Sequence, residues 1–129
     1  MPDEASLDLS RQWLEQSAED LAAARRLADL PSLSAFHSQQ SVEKASKALL
    51  VLRGIAFSKT HDIDILLRQL AELGLSPGHM DTADLAALTR FAVDTRYPPE
   101  SASSEEAADA LSVVELFYRW AKATFPTGT

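Results

Sequence analysis

A chain of 129 residues, of which 46% are hydrophobic and 24% charged, has the size and apolar content of one globular domain. It contains no cysteine, which excludes a disulfide scaffold, a thiolate metal site and a cysteine nucleophile. Its apolar runs are shorter than the roughly 18 residues that span a bilayer, and its first residues are acidic where a signal peptide would be basic. We therefore expect a cytoplasmic protein without membrane contact. The net charge of −7 disfavours broad, charge-driven binding to nucleic acid.

The first half of the chain has two segments with helical apolar spacing. We predict a first helix over about residues 7–30, with Ser6 as its N-cap and Pro31 as its stop. A second helix is predicted to begin after Ser34 and to run to about residue 53, where Gly54 supplies a C-terminal break.

Three more helices are predicted in the second half of the chain. The third begins with Thr60 as N-cap and ends at Gly74. The fourth begins at Asp81 and continues towards Arg96, before two prolines that forbid a helix. The fifth opens near Ser104 and runs almost to residue 126.

Long amphipathic helices joined by loops of these lengths pack as antiparallel neighbours. We therefore predict an all-α fold, an up-and-down antiparallel bundle of four long helices plus a shorter extra helix. The sequence shows no interdomain linker and no internal repeat. We expect a single domain over residues 7–125, with flexible termini at 1–6 and 126–129.

The second predicted helix carries a polar stripe beside its apolar face. At about 100° per residue, four polar side chains fall within an arc of roughly 80°; they are His37, Gln40, Lys44 and Lys47. Glu43 stands four residues before Lys47 and can pair with it. Two interpretations fit this pattern: a solvated helix face with a routine ion pair, or a surface that binds a ligand or a partner.

The start of the third helix is a second candidate, because free backbone N–H groups attract phosphate. Lys59 and His61 flank that start, with Thr60 between them. Its aspartates can also satisfy the helix dipole without a ligand. Arg96 is the third candidate, although an arginine suits a helix C-terminus for structural reasons alone.

Other enzyme templates do not fit the sequence. The three histidines, at 37, 61 and 79, lack helical ligand spacing, so we predict no metal site. A glycine-rich phosphate loop and a nucleophile elbow are both missing. We expect no cofactor.

Several motifs together resemble the HEPN domain family. They are the run FHSQQSVEKASKALL at 36–50 with the glycine at 54, the run KTHDI at 59–63, the tripeptide RYP at 96–98, and Trp13 with Asp20 in the first helix. The resemblance covers about residues 7–125. It implies a small helical bundle that usually dimerises and is often encoded beside a minimal nucleotidyltransferase, with which it forms a toxin–antitoxin or related defence pair.

Many HEPN proteins are metal-independent ribonucleases that carry an arginine and, after four to six intervening residues, a histidine. No arginine here has a histidine at that spacing; Arg53 and His61, with seven residues between them, come nearest. The resemblance therefore implies a dimeric partner of a nucleotidyltransferase that binds nucleotide or RNA phosphate. The candidate phosphate-binding residues are His37, Gln40, Lys44, Lys47, Lys59, Thr60, His61 and Arg96. A ribonuclease with a displaced site is the alternative.

Overall fold

In the computed structural model, the described residues, 3–93 and 100–126, form helices joined by turns and contain no strand. Three helices are long and three are shorter. In chain order they are α1 (Glu4–Arg26), α2 (Pro31–Leu52), α3 (Ile63–Glu72), α4 (Thr82–Ala87), α5 (Arg90–Val93) and α6 (Ser104–Thr124). The predicted all-α bundle is confirmed, with three long helices where four were expected.

α1 and α2 form an antiparallel hairpin, and hydrogen bonds from buried serines hold the two helices together. The Ser17 hydroxyl donates to the Ser41 carbonyl oxygen over 2.6 Å, and the Ser41 hydroxyl donates to the Ser17 carbonyl oxygen over 2.9 Å. Further along, the Ser34 hydroxyl donates to the Ala24 carbonyl oxygen over 2.8 Å. A hydroxyl reaches the backbone of a neighbouring helix only when the two helices lie close, and these small side chains permit that approach.

α2 is the central helix of the bundle, and buried residues lie on most of its sides. Its large apolar side chains, among them Leu49 and Leu50, share one core with Leu66 of α3 and Phe117 of α6. A helix that is covered on several sides does not segregate apolar from polar residues strongly. Its polar side chains therefore lie close to the core and find their partners within the protein.

Hydrogen bonds from backbone amides to side-chain hydroxyls hold the starts of two further helices. The Ile63 amide at the start of α3 donates to Oγ1 of Thr89, which lies between α4 and α5, over 3.0 Å. The Ala102 amide before α6 donates to Oγ of Ser32 in the first turn of α2, also over 3.0 Å. The first bond fixes the start of α3 against the connection between α4 and α5, and the second fixes the segment before α6 against α2.

Both predicted ends of α1 were wrong. The N-cap is Asp3, whose carboxylate accepts a hydrogen bond from the Ser6 amide, so residues 4–6 are helical and not a loose terminus. α1 ends at Arg26. Pro31 begins α2, although a start after Ser34 was expected, because proline suits the first helical position. The predicted break at Gly54 is confirmed by its φ of +71°.

The later helices differ from prediction mainly at their starts. The N-cap of α3 is Asp62, whose carboxylate accepts from the Asp64 amide; the predicted cap, Thr60, accepts instead from the Asp62 amide. Asp81 caps α4 as predicted, but the fourth helix is divided into α4 and α5. Its predicted continuation to Arg96 lies outside the described residues, as do the termini 1–2 and 127–129.

No helix within residues 3–93 and 100–126 has the length and hydropathy that crossing a membrane requires.

Candidate functional site

The predicted polar stripe of α2 lies at the edge of the core and is held by carboxylates. Lys47 is 8% exposed and Glu43 is 4% exposed, whereas His37, Gln40 and Lys44 are half-buried. An ordinary solvated face would leave these long side chains in water. The stripe divides into two groups, each built around one carboxylate.

The first group, called here the Glu43 cluster, consists of Gln39, Glu43, Lys47 and His61. Glu43 Oε1 accepts from Gln39 Nε2 over 3.0 Å and from His61 Nδ1 over 2.9 Å, while Oε2 accepts from Lys47 Nζ over 2.9 Å. Gln39 Nε2 also donates to the His61 carbonyl oxygen over 3.1 Å. The buried carboxylate therefore has three donors. It holds the ring of His61, and Gln39 holds the His61 backbone carbonyl.

Because a carboxylate only accepts hydrogen bonds, the bond to Glu43 places a proton on Nδ1 of His61. The His61 side chain is 66% exposed. In the neutral ring, Nε2 is then an unprotonated acceptor. Glu43 thus orients a histidine whose body faces solvent.

Opposing effects act on the pKa of Glu43. Burial by itself raises the pKa, but hydrogen bonds from Lys47, His61 and Gln39, together with the charge of Lys47, hold it below its ordinary value. Glu43 is therefore ionised at neutral pH although it is buried.

Aromatic rings cover the lysine of this cluster. Lys47 Nζ lies 5.6 Å from the centroid of the Trp13 ring and 5.1 Å from that of Phe57. The two rings meet edge to face, with centroids 5.5 Å apart. Such rings stabilise a desolvated ammonium by cation–π attraction, so Lys47 is packed as part of the core.

The second group, called here the Asp20 cluster, joins α1 to α2. Asp20 Oδ1 contacts His37 Nδ1 at 2.8 Å, and Asp20 Oδ2 contacts Lys44 Nζ at 2.8 Å. These three side chains help to line a groove of about 520 Å³ between the two helices. As in the Glu43 cluster, a histidine binds through Nδ1 to one carboxylate oxygen and a lysine binds the other.

The remaining predicted residues have different surroundings. Lys59 is exposed, and Thr60 is engaged in the turn before α3. The Gln40 side-chain amide donates to Gln39 Oε1 over 2.7 Å and so extends the Glu43 cluster. Arg96 lies outside the described residues.

Sequence reasoning missed Asp20 and Gln39 as functional partners. Gln39 stands four residues before Glu43, the same helical spacing that predicted the contact between Glu43 and Lys47, so it could have been found. Asp20 contacts residues 17 and 24 positions away, and local spacing carries no signal for such pairs.

A second groove, of about 430 Å³, lies between α6 and the pair α4 and α5. Leu88, Phe91 and Val113 form apolar parts of its wall, and Arg90 pairs with Glu106 at the same place. The predicted phosphate-binding residues within the described ranges lie elsewhere. Among the histidine, aspartate and glutamate side chains that the structure describes, no three are grouped to hold a metal ion.

Fold and site together define a small helical-bundle protein in which carboxylate-bound histidines and lysines lie along a central helix. The model of the HEPN domain matches residues 10–124, and the chain belongs to this family. In structure it is similar to TT1696 from Thermus thermophilus, with a TM-score of 0.77, 24% sequence identity, and coverage of 90% of this chain and 98% of that one. At this identity the likeness concerns the fold alone. No curated protein matches the sequence significantly.

Proposed function

We propose that this HEPN protein is a dimeric partner of a minimal nucleotidyltransferase, in a toxin–antitoxin or defence-type pair, and that it binds nucleotide or RNA phosphate. Family membership supports the partnership, because HEPN domains are often encoded beside such enzymes. The orientation of His61 by buried Glu43 carries the phosphate-binding part of the proposal.

The distribution of unpaired positive charge favours the start of α3 as the phosphate-binding surface. Lys44 and Lys47 are neutralised by Asp20 and Glu43, so their attraction for a phosphate is weak. Lys59 is exposed and has no ion pair within the described residues, and it stands two positions from His61. Together they offer an uncompensated cation and an oriented imidazole.

A binding titration tests the phosphate surface. We expect a labelled short RNA, ATP or GTP to bind the wild-type protein, and Lys59→Ala to weaken binding and to reduce the salt slope by about one. His61→Ala should weaken binding as well. Lys122→Ala, on α6, removes the same charge from another exposed site and serves as the control. Lack of affinity in the wild type, or an equal loss in Lys122→Ala, would contradict the proposal.

Co-purification tests the partnership. When the protein is co-expressed with the product of an adjacent gene that carries a Gly-Ser motif and paired aspartates, we expect one stable complex. Light scattering should give a dimer for the protein alone at micromolar concentration. A monomer, or a neighbour that does not bind, would contradict this part of the proposal.

A metal-independent ribonuclease with a displaced site is the second candidate. One observation favours it: a histidine whose Nδ1 is held by a carboxylate has the arrangement of a general base or acid. Cleavage of RNA in the presence of a chelator, lost in His61→Ala and in Arg96→Ala, would support it. His79→Ala is the control, because it removes an exposed imidazole that has no carboxylate contact within the described residues. Cleavage that survives the His61 and Arg96 substitutions would remove both residues from the mechanism.

A further inference from the structure

His61 binds the protein through one ring nitrogen and leaves the other without a partner. Its Nδ1 lies 2.9 Å from Glu43 Oε1, and its side chain is 66% exposed. No group among the described residues forms a hydrogen bond with Nε2. In the neutral ring, the lone pair of Nε2 is therefore available to an electrophile from solution.

The Glu43 carboxylate is suited to stabilise a positive charge on this ring. It is 4% exposed, and Lys47 and Gln39 bind it in addition to His61. When Nε2 of a neutral imidazole forms a new bond, positive charge develops on the ring, and a carboxylate that accepts from Nδ1 stabilises that charge. Because Glu43 is buried, water screens this attraction less than it would at the surface. Glu43 thus favours reaction at Nε2.

A comparison of the three histidines shows that this combination is specific to His61. His37 also binds a carboxylate through Nδ1, at 2.8 Å from Asp20 Oδ1, but its side chain is only 27% exposed and meets the Phe36 ring edge to face. His79 is exposed but has no carboxylate contact within the described residues. His61 alone combines an exposed ring with a carboxylate on Nδ1.

The charges near His61 in the chain suit an anionic group. Lys59 is exposed and has no ion pair within the described residues. The carboxylate of Asp62 accepts from the Asp64 amide over 3.0 Å at the start of α3, and Asp64 pairs with Arg68 at 2.9 Å. The positive charge of Lys59 is therefore uncompensated, whereas the neighbouring carboxylates have partners.

We propose that Nε2 of His61 accepts a phosphoryl group from an acyl phosphate. The lone pair of Nε2 attacks phosphorus and forms an N–P bond, the P–O bond to the acyl group breaks, and the carboxylate leaves with the electron pair. The Nδ1 proton stays between the ring and Glu43, and nothing is oxidised or reduced. The inference rests on the phosphate surface proposed at His61 and adds a covalent step to it.

Labelling with acetyl phosphate tests the proposal. In the folded protein, ³¹P NMR and tandem mass spectrometry should find one phosphoryl group, on Nε2 of His61, formed about tenfold faster than any label on His37 or His79. In concentrated urea the three histidines should react at similar rates, because the fold no longer distinguishes them. His79→Ala should leave the labelling of His61 unchanged. Equal labelling of His61 and His79 in the folded protein, attachment through Nδ1, or no label would overturn the proposal.

A double variant tests the role of the carboxylate. Glu43→Gln with Lys47→Met removes the buried charge pair and leaves an amide oxygen that can still accept from Nδ1 of His61. Since a neutral acceptor stabilises a charged ring less, labelling should slow about tenfold. Labelling as fast as in the wild type would overturn activation by Glu43. If this variant does not fold, the comparison of His61 with His79 in the wild type decides the question.

The labelling experiment needs neither RNA nor a partner protein, so it is separate from the test of the proposed function. A protein that binds RNA or nucleotide but takes no label keeps the proposed function and loses this inference. A protein that is labelled at His61 but binds neither RNA nor nucleotide keeps this inference and loses the phosphate-binding part of the proposed function.

Discussion

The Glu43 and Asp20 clusters contain the same chemical groups in different surroundings. In each, a carboxylate binds a histidine Nδ1 with one oxygen and a lysine Nζ with the other. The Lys47 side chain is only 10% exposed, and its carboxylate has a further donor in Gln39. Lys44 is 23% exposed, and within the described residues its carboxylate has no such donor.

The two clusters therefore differ in burial and in the number of hydrogen-bond donors, and not in residue type. These two properties decide the role of each cluster. With every oxygen satisfied, the Glu43 cluster is a rigid support that holds His61 towards solvent. The Asp20 cluster borders a groove, and its His37 and Lys44 side chains are 27% and 23% exposed, so water reaches its cations more easily.

Removing the central carboxylate of the buried cluster should have the largest effect. Glu43→Ala leaves the ammonium of Lys47 buried and unpaired and removes the acceptor of Gln39 and His61. Breaking a buried ion pair on one side costs about 3–5 kcal/mol, and we expect that loss in the free energy of unfolding measured with urea at neutral pH. Glu72→Ala, at an exposed site, should change it little.

A double variant separates the lost charge balance from lost packing. Glu43→Gln with Lys47→Met removes both charges and keeps similar volumes, so most of the stability should return. If the double variant were as unstable as Glu43→Ala, the view that an unpaired buried charge causes the loss would be wrong.

The pH dependence of the free energy of unfolding should reflect the ionisation of Glu43. Burial alone would raise the pKa of this carboxyl, but its donors hold the pKa below the ordinary value of 4.5 in the folded protein. Its stabilisation is therefore present above about pH 4.5 and is lost as the pH falls through the folded pKa. In urea unfolding, the gap in stability between wild type and Glu43→Gln should shrink below that pH. A gap that stays constant down to about pH 3 would contradict this assignment.

Asp20→Ala should cost less than Glu43→Ala, about 1–2 kcal/mol. The partners that it leaves, His37 and Lys44, have side chains 27% and 23% exposed, so water can replace the lost carboxylate. The same urea measurement ranks the two variants. A loss equal to that of Glu43→Ala would mean that the groove does not admit water to these groups.

The helices were predictable because their signals are local. Apolar spacing located them, and Asp81 and Gly54 marked a start and an end correctly. The start of α1 was misplaced because Ser6 and Asp3 are both good caps, and only the folded backbone shows which one accepts the hydrogen bond. Pro31 was interpreted as a stop although proline is equally suited to begin a helix.

The site was predictable only where its contacts follow the helical repeat. The spacing of Glu43 and Lys47 predicted their ion pair, which is confirmed. The bonds from His61 to Glu43 and from His37 to Asp20 join residues 18 and 17 positions apart. They depend on how α1, α2 and the turn before α3 pack, so the sequence identified the histidines but not which carboxylates orient them.

The smallest expected effect concerns the contact between the Lys47 ammonium and the aromatic ring of Phe57. A double-mutant cycle of Phe57→Leu with Lys47→Met isolates the contact between the ammonium and the ring, now 5.1 Å apart. A cation–π contact of this kind contributes about 0.5–1 kcal/mol, and we expect a coupling of that size in urea unfolding. A coupling near zero would mean that Phe57 only covers the apolar stem of the lysine. The aromatic stabilisation of Lys47 would then come from Trp13 alone, and the difference between the two clusters would rest mainly on burial and on the extra donor from Gln39.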